Sequence, residues 1–556
     1  MRIARVRIEH FRSIKEADLE PGSLCVLIGE NNAGKSNVLK ALNLVLGDTW
    51  PTERSFSDDD FHGLDTTKDI VIQVFFETET EVWRNQHKMK VAGFELRCHA
   101  YLKKTGTKQR GDLKVDYQCI TAKGEPCKYP AEANKFKGQW MELRVSSDLR
   151  EKTPLIYVDV LRNYDRHNPG SRWSVLRRLL NEVNTEFSND QKPVTVTMSD
   201  GSKAKMTRRQ AFERAVKDAY GYLRTDSFVK LEELIAKNTL EQMGLSGGAG
   251  DVSLHFESHD PTHVYRSLEL YVNEMGIESP AGEVGSGLQS AIVVGIFRTY
   301  EEMKKEGAIF VVEEPEIFLH PQKARYFAGV LGRLAEQGNQ VMVSTHSPVF
   351  VQIDRPETVA VVRRTAEKGT WVRKAAKVDL AATERQALRL MTEFDAQRNE
   401  LFFAKRVMFV EGMTEKIALP LAFRALGTDI NREGVSVVEC GGKTKLPLFV
   451  RVAKALEIPY VVLADHDVKE ITIDWSDTRK KAEEERNKKH LQWNADLEKV
   501  ADKDRLFFLK PSFEAELGLP ESEDEKVDNA LKRFESAKAA DIPACLKGPI
   551  ERLMAD

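Results

Sequence analysis

Alternation opens the chain. Between Met1 and Phe11 charged residues alternate with β-branched and aliphatic ones, the period of a half-buried strand rather than of a signal peptide. Leu24-Cys25-Val26-Leu27-Ile28 is a short continuous apolar run, which predicts a buried strand. A glycine-containing polar loop follows, and then the period lengthens. Val38, Leu39, Leu42 and Val45 recur at helical spacing and predict a helix over 37–46. Residues 1–76 therefore read as strand, turn, strand, loop, helix, loop, strand.

Pro154-Leu155-Ile156-Tyr157-Val158 predicts a further buried strand. The stretch 166–244 differs: it is rich in Arg, Lys, Glu and Asn, and Leu176, Leu179, Leu180 and Val183 fall at helical spacing. It reads as a helical insertion. Strand–helix alternation resumes and runs to about Val362, and a polar segment, 365–377, then separates it from a helical stretch at 380–399. A second alternating pattern starts at Arg406, with strands at 407–410 and 460–464 and helices at 414–426 and 446–456. Residues 477–504 are dense in both charge signs and predict a solvated helix. The pattern is that of an α/β protein without internal repeats.

Composition adds limits. At 556 residues the chain is too long for one core, and roughly two to four domains are expected. No apolar run approaches the ~20 residues of a membrane span, so the expectation is a cytoplasmic protein that makes no use of a membrane. The cysteines Cys25, Cys98, Cys119, Cys127, Cys440 and Cys545 show no CxxC spacing, which argues against a zinc ribbon or a disulfide framework. Net charge is −3, so nucleic-acid binding must come from local patches and metal ions.

Two stretches carry chemistry. Gly29-Glu30-Asn31-Asn32-Ala33-Gly34-Lys35-Ser36 fits GxxxxGK[ST] between a strand and a helix. Backbone N–H groups around Gly29, Asn32, Gly34 and Asn37 are expected to cradle the phosphates of ATP, with Lys35 on the β/γ-phosphates and the Ser36 hydroxyl on Mg²⁺. Ile309-Phe310-Val311-Val312 ends in Glu313-Glu314. Glu313 is expected to hold Mg²⁺ and Glu314 to polarise the attacking water. His346, in Ser344-Thr345-His346-Ser347 after a further apolar strand, can sense the γ-phosphate. Gly285-Ser286-Gly287-Leu288-Gln289 resembles the signature loop of ABC-type ATPases. That resemblance implies that Ser286 and Gly287 contact nucleotide bound to an opposite protomer.

The second stretch is acidic. Val407-Met408-Phe409-Val410 runs into Glu411-Gly412, and Val461-Val462-Leu463-Ala464 into Asp465-His466-Asp467. Strand periodicity puts Asp465 and Asp467 on one face, and parallel pairing of the two strands would bring Glu411 beside them. Three carboxylates at one sheet edge call for divalent cations, Mg²⁺ or Mn²⁺, of the kind that assist phosphodiester hydrolysis. Glu415 lies one helical turn beyond Glu411 and can face the same site. Gly441-Gly442-Lys443 can approach a phosphate or form a plain turn.

Ile8-Glu9-His10-Phe11-Arg12-Ser13-Ile14 resembles the first strand of SMC-like and RecF-like ATPases, which carry insertions between these motifs. Glu313-Glu314-Pro315-Glu316 with Leu319-His320-Pro321 is similar to the RecF and OLD (overcoming lysogenisation defect) families. The acidic pattern around Glu411, Asp465 and Asp467 resembles the Toprim fold. The combination looks like the OLD family, an ATPase followed by a Toprim nuclease. The resemblance implies an ATPase domain at 1–165 and 245–395, a dimerisation insertion at 166–244 and a Toprim domain at 396–556. It further implies a late acidic metal ligand, Glu514 in preference to Glu516, and a lysine for the scissile phosphate at Lys547, which is equally readable as a surface residue. Metal-dependent DNA cleavage in phage defence or repair follows as an expectation, with homodimers or larger homo-oligomers and, in some members, a helicase-like or reverse-transcriptase partner. The alternative is a SMC- or RecF-like DNA clamp that does not cut. The absence of a long heptad array disfavours it.

Overall fold

The computed structural model describes residues 1–555 apart from 102–110, 132–137, 161–169, 171–173, 199–200, 243–260, 275, 304–306, 353, 375–379, 394–395, 473–474 and 520–525. The expected domain edges at 165–166, 244–245 and 395 fall outside the described residues. An eleven-stranded sheet dominates. One wing is antiparallel, running in the order Leu113–Ile120, His87–Ala100, Ile70–Arg84, Ile3–Phe11 and Ile14–Leu19. Gly369–Lys374 and Val359–Thr365 continue it as an antiparallel pair. The far side is parallel: Val359–Thr365, Leu24–Ile28, Gln340–Ser344, Ile309–Glu313 and Leu155–Val158. Those central strands are fully buried, as their unbroken apolar runs require.

Helix Lys35–Leu46 lies on this sheet with Val38, Leu39, Leu42 and Val45 in the core, the four positions that the spacing singled out. A separate four-stranded parallel sheet follows in the order Val435–Glu439, Arg406–Val410, Tyr460–Asp465 and Leu506–Leu509. Helices Met413–Ala425 and Ala544–Met554 contribute Leu419, Phe423, Leu546 and Ile550 to its core.

The chain divides into two compact units, Met1–Val160 with Lys304–Asp556, and Leu161–Met303. The second is therefore larger than the 166–244 segment read from the sequence. Helix Val175–Asn189 buries Val175 and Leu179, and its Arg178 lies 5.9 Å over the Tyr300 ring of helix Ser286–Glu302. That contact ties the end of the unit to its beginning. Nor is the insertion purely helical: Pro193–Thr197 and Lys203–Thr207 form a hairpin ahead of helices Arg208–Leu223 and Asp226–Gln242. The Val-Thr-Val alternation of that first strand carries the period-two signal.

Candidate functional site

The glycine loop is shaped by close backbone approach. Gly29 has φ +153°, and a Cβ there would lie 2.1 Å from the Val362 carbonyl oxygen of the adjoining strand. Gly34 has φ +106°, and its Cβ would meet Thr370 Oγ1 at 2.4 Å and Ser13 Oγ at 2.8 Å. Thr370 Oγ1 sits 2.7 Å from the Ala33 carbonyl and 2.8 Å from Ser13 Oγ, and Asn37 Nδ2 donates to Ser13 Oγ at 2.8 Å. Asn32 takes a left-handed φ of 65° at the exposed loop tip, and half-buried Ser36 opens the helix that Gly34 caps. Lys35 is buried. Its ammonium donates to the carbonyls of Gly29 (3.1 Å) and Glu30 (3.2 Å) and meets His346 Nε2 at 2.6 Å.

Parallel pairing of Ile309–Glu313 with Gln340–Ser344 puts Glu313 opposite Ser344, so the acids and His346 leave the sheet at one edge. Glu313 is 4% exposed and accepts a hydrogen bond from the Tyr157 hydroxyl on the neighbouring strand. Glu314, at φ 44°, turns back over the edge, with its N–H on the Ser344 carbonyl (2.8 Å) and a carboxylate oxygen 3.5 Å from His346 Nε2. Burial, and then the charge of Glu316, push Glu314 up to about 8. Burial and the Lys35 ammonium lower His346, so the imidazole is neutral and can accept from Lys35. Glu316 falls in the Glu-Glu-Pro-Glu motif, and the motif alone does not assign it a role. Its carboxylate accepts from the His346 N–H (2.7 Å) and the Thr345 hydroxyl (2.8 Å), which fixes the turn at His346. Tyr157 gave no signal beyond being an aromatic in an apolar run.

In the second unit, Gly285 caps helix Ser286–Glu302, leaving Ser286 and Gly287 exposed at its start. Gln289 steadies the turn by donating to the Gly282 and Val284 carbonyls at 2.9 Å each.

The acidic residues converge at the edge of the four-stranded sheet. Val407 pairs with Tyr460 in a parallel register, and the two strands deliver Glu411 and Asp465 side by side. Glu411 Oε1 accepts from the Asp465 N–H at 2.8 Å, and Asp465 Oδ1 from the Phe513 N–H at 2.7 Å. Asp467 joins by a different route from the expected strand alternation. The strand ends at Asp465, and Asp467 adopts φ 59°, held by its N–H on the Pro511 carbonyl at 2.7 Å. Its carboxylate meets Lys443 Nζ at 2.8 Å and His490 Nδ1 at 3.4 Å.

Glu415 and Glu514 are buried, whereas Glu516 is exposed. Glu514 pairs with Lys526 at 3.2 Å. Desolvation, reinforced by the neighbouring carboxylates, pushes Asp465 up to about 9, and Glu411 and Glu415 up to about 7. Acids this crowded resist ionising without a counter-charge and form a hard-oxygen donor set that a divalent cation would neutralise, which fits such an ion. As placed, no group of three or more among the described residues closes around one ion. Lys547 is half-buried on helix Ala544–Met554, with no side-chain hydrogen bond or ion pair to these carboxylates among the described residues. His490 carries no sequence signal, because helix Asp477–Val500 is dense in charge along its length. One face nevertheless buries Asn494 and Leu497.

Comparison with known proteins decides the family. Residues 1–351 match the AAA ATPase domain, and residues 402–467 match the overcoming lysogenization defect protein-like TOPRIM domain. The OLD nuclease of Thermus scotoductus is 32% identical over 99% of this chain and 98% of its own length. The chain belongs to the OLD nuclease family. The Old nuclease of Escherichia phage P2 is 23% identical over 84% of this chain and 77% of its own. The endonuclease GajA of Bacillus cereus is 21% identical over 84% and 75%. This OLD-family chain is thus an ATPase and a nuclease that binds ATP and DNA and uses a divalent metal. Among its described residues no helix is long and apolar enough to cross a membrane.

Proposed function

We propose that the chain is an ATP-controlled DNA endonuclease or nickase that uses Mg²⁺ or Mn²⁺ and acts in phage defence in the cytoplasm as a homodimer or larger homo-oligomer. One observation carries the reading: parallel pairing brings Glu411 and Asp465 side by side at one sheet edge, where the buried Lys443 ammonium lies 3.9 Å from Glu411 and 2.8 Å from Asp467. Glu411, Asp465 and Asp467, with Glu415 and Glu514 behind them, would hold the metal. When bound, it would supply an activated water and a Lewis acid for phosphodiester hydrolysis. The Asp465 and Phe513 backbone N–H groups orient the acids, so their geometry does not depend on side-chain freedom alone. At the other centre, Lys35 and Ser36 bind phosphates and magnesium, Glu313 holds the ion, Glu314 polarises the attacking water and His346 reads the γ-phosphate. Exposed apolar residues in the second unit, among them Tyr222 (88%), Leu223 and Leu231, support self-association there. The relative named endonuclease GajA supports the endonuclease reading.

Supercoiled plasmid incubated with Mn²⁺ and ATP tests the reading. Wild type is expected to nick or linearise it and Asp465→Ala to leave it intact. Undiminished cutting by Asp465→Ala would remove the site assignment.

A further inference from the structure

The acidic edge contains a cation of its own. Gly441 and Gly442, at φ 75° and 99°, turn the chain back after Val435–Glu439. Both amides are pinned, Gly441 N–H on Glu439 Oε1 at 2.7 Å and Gly442 N–H on the Glu411 carbonyl at 2.9 Å. This fixes Lys443 against Glu411 and aims its side chain inward, 4% exposed, with Nζ 2.8 Å from Asp467 Oδ2 and 3.9 Å from Glu411 Oε1. His490 Nδ1 approaches the same Asp467 carboxylate and is buried without a hydrogen bond, as is Asn494 Oδ1 one turn further on. Asp467 is thus the acid around which cationic and polar groups from other elements gather.

We propose that Lys443 is a substrate-contacting residue of the nuclease centre. It holds Asp467 as a placeholder cation, then moves onto a non-bridging phosphate oxygen of the scissile nucleotide when a divalent ion takes the carboxylates. The proposal rests on the nuclease reading above and names the group that reads the phosphate. A buried ammonium separated from its carboxylate needs another anion, because leaving it unpaired is costly. The DNA phosphate is the anion that arrives with the substrate. Lysine suits the exchange: its charge is compact, and its four-carbon stem can swing while the pinned glycine turn stays still. No covalent bond changes in the swing. On the phosphate, the ammonium stabilises the charge that develops as water adds. The arrangement also makes metal and lysine competitors for Asp467, so metal binds most favourably when DNA is present to receive Lys443.

Full-length Lys443→Met and Lys443→Arg test this by two readouts, calorimetric Mn²⁺ binding without DNA and plasmid nicking with Mn²⁺. Lys443→Met is expected to bind Mn²⁺ about tenfold more tightly, because its competitor is gone, and to nick at least ~100-fold more slowly. Its ATP hydrolysis reports that the preparation is folded. Lys443→Arg keeps the charge and carries the test if Lys443→Met does not fold. It is expected to hold the wild-type Mn²⁺ affinity but to nick at least ~10-fold more slowly, since a guanidinium fork leaves carboxylates less readily. Unchanged or weaker Mn²⁺ binding by Lys443→Met, or nicking at the wild-type rate by either variant, overturns the proposal. A wild type that neither binds Mn²⁺ nor nicks tells instead against the nuclease reading itself.

Discussion

Each centre surrounds a buried lysine with oxygen atoms, but the two are built in opposite ways. Lys35 is held by carbonyls of its own loop, Gly29 and Glu30, within a window of adjoining residues, with His346 as a distant hydrogen-bond partner. Lys443 is held by side chains, Asp467 and Glu411, that follow the ends of two other strands. The first centre is a backbone device whose shape is dictated by steric limits. The second is a side-chain device whose shape depends on three-dimensional pairing. Backbone devices should therefore fail through strain, and side-chain devices through lost charge.

The largest effect tests whether the centres are chemically separate. Asp465→Ala is expected to lower plasmid cutting at least ~10³-fold while ATP hydrolysis stays within about twofold of wild type. Lys35→Ala is expected to abolish ATP hydrolysis by a similar factor. Parallel phosphate-release and nicking assays on both variants read this directly. Loss of both activities in Asp465→Ala would merge the centres into one and end the comparison.

Strain separates them next. Gly34→Ala places a methyl group 2.4 Å from Thr370 Oγ1 at φ +106°. A left-handed backbone costs about 1–2 kcal/mol and overpacking a further ~1–3 kcal/mol. Gly442→Ala meets no atom within 4 Å, but at φ 99° and ψ 163° it sits in an extended region that glycine alone adopts freely, so a backbone cost of about 1–3 kcal/mol remains without the crowding. Urea unfolding should rank Gly34→Ala well below Gly442→Ala. Equal losses would show that crowding does not distinguish the phosphate loop.

The same contrast explains what the sequence could reveal. Gly29 to Ser36 is legible because strand, loop and helix are contiguous and the chemistry lies within the motif. Glu411 and Asp465 were legible because two apolar strands ending in acids imply a shared edge if they are parallel, as they are. Asp467 reaches the acidic edge by a route other than the one strand alternation implies. Strand alternation stops at Asp465, and a left-handed turn supplies the convergence. His490 was illegible because a helix rich in both charges masks the one face that packs inward. The wider extent of the second unit was illegible too, since the contact of Arg178 with Tyr300 joins residues far apart in the chain.

Glu316 tests whether the ATP centre also depends on a side chain. Glu316→Gln removes the charge that helps to raise Glu314 and weakens the anchor on the His346 N–H and the Thr345 hydroxyl. ATP hydrolysis is expected to fall about tenfold, with ~1–2 kcal/mol lost in stability. Nicking in the absence of ATP should be unchanged. Wild-type ATP hydrolysis would leave Glu316 as a purely structural cap and make the ATP centre more backbone-driven than argued above.

The smallest effect concerns the route between the two centres. Asn399 Nδ2 donates to the Pro348 and Val351 carbonyls at 3.1 Å each, in the turn that follows His346. Its neighbour Arg398 donates to the Glu439 carbonyl at 2.9 Å and pairs with the Glu439 carboxylate, which in turn accepts from Gly441 N–H at 2.7 Å. Two adjacent residues thus touch the turn after His346 and the turn before Lys443. Continuity alone does not establish coupling, because energy can spread through many contacts at once. A double-mutant cycle does. Arg398→Ala should leave ATP hydrolysis near wild type and change the ATP response of nicking by about two- to fivefold. That change should vanish when Arg398→Ala is combined with Lys35→Ala, since a chain unable to bind ATP has no response to transmit. An effect of equal size in both backgrounds would make Arg398 a local support for the Glu439 turn. The two centres would then share a compact unit without sharing a signal through this pair.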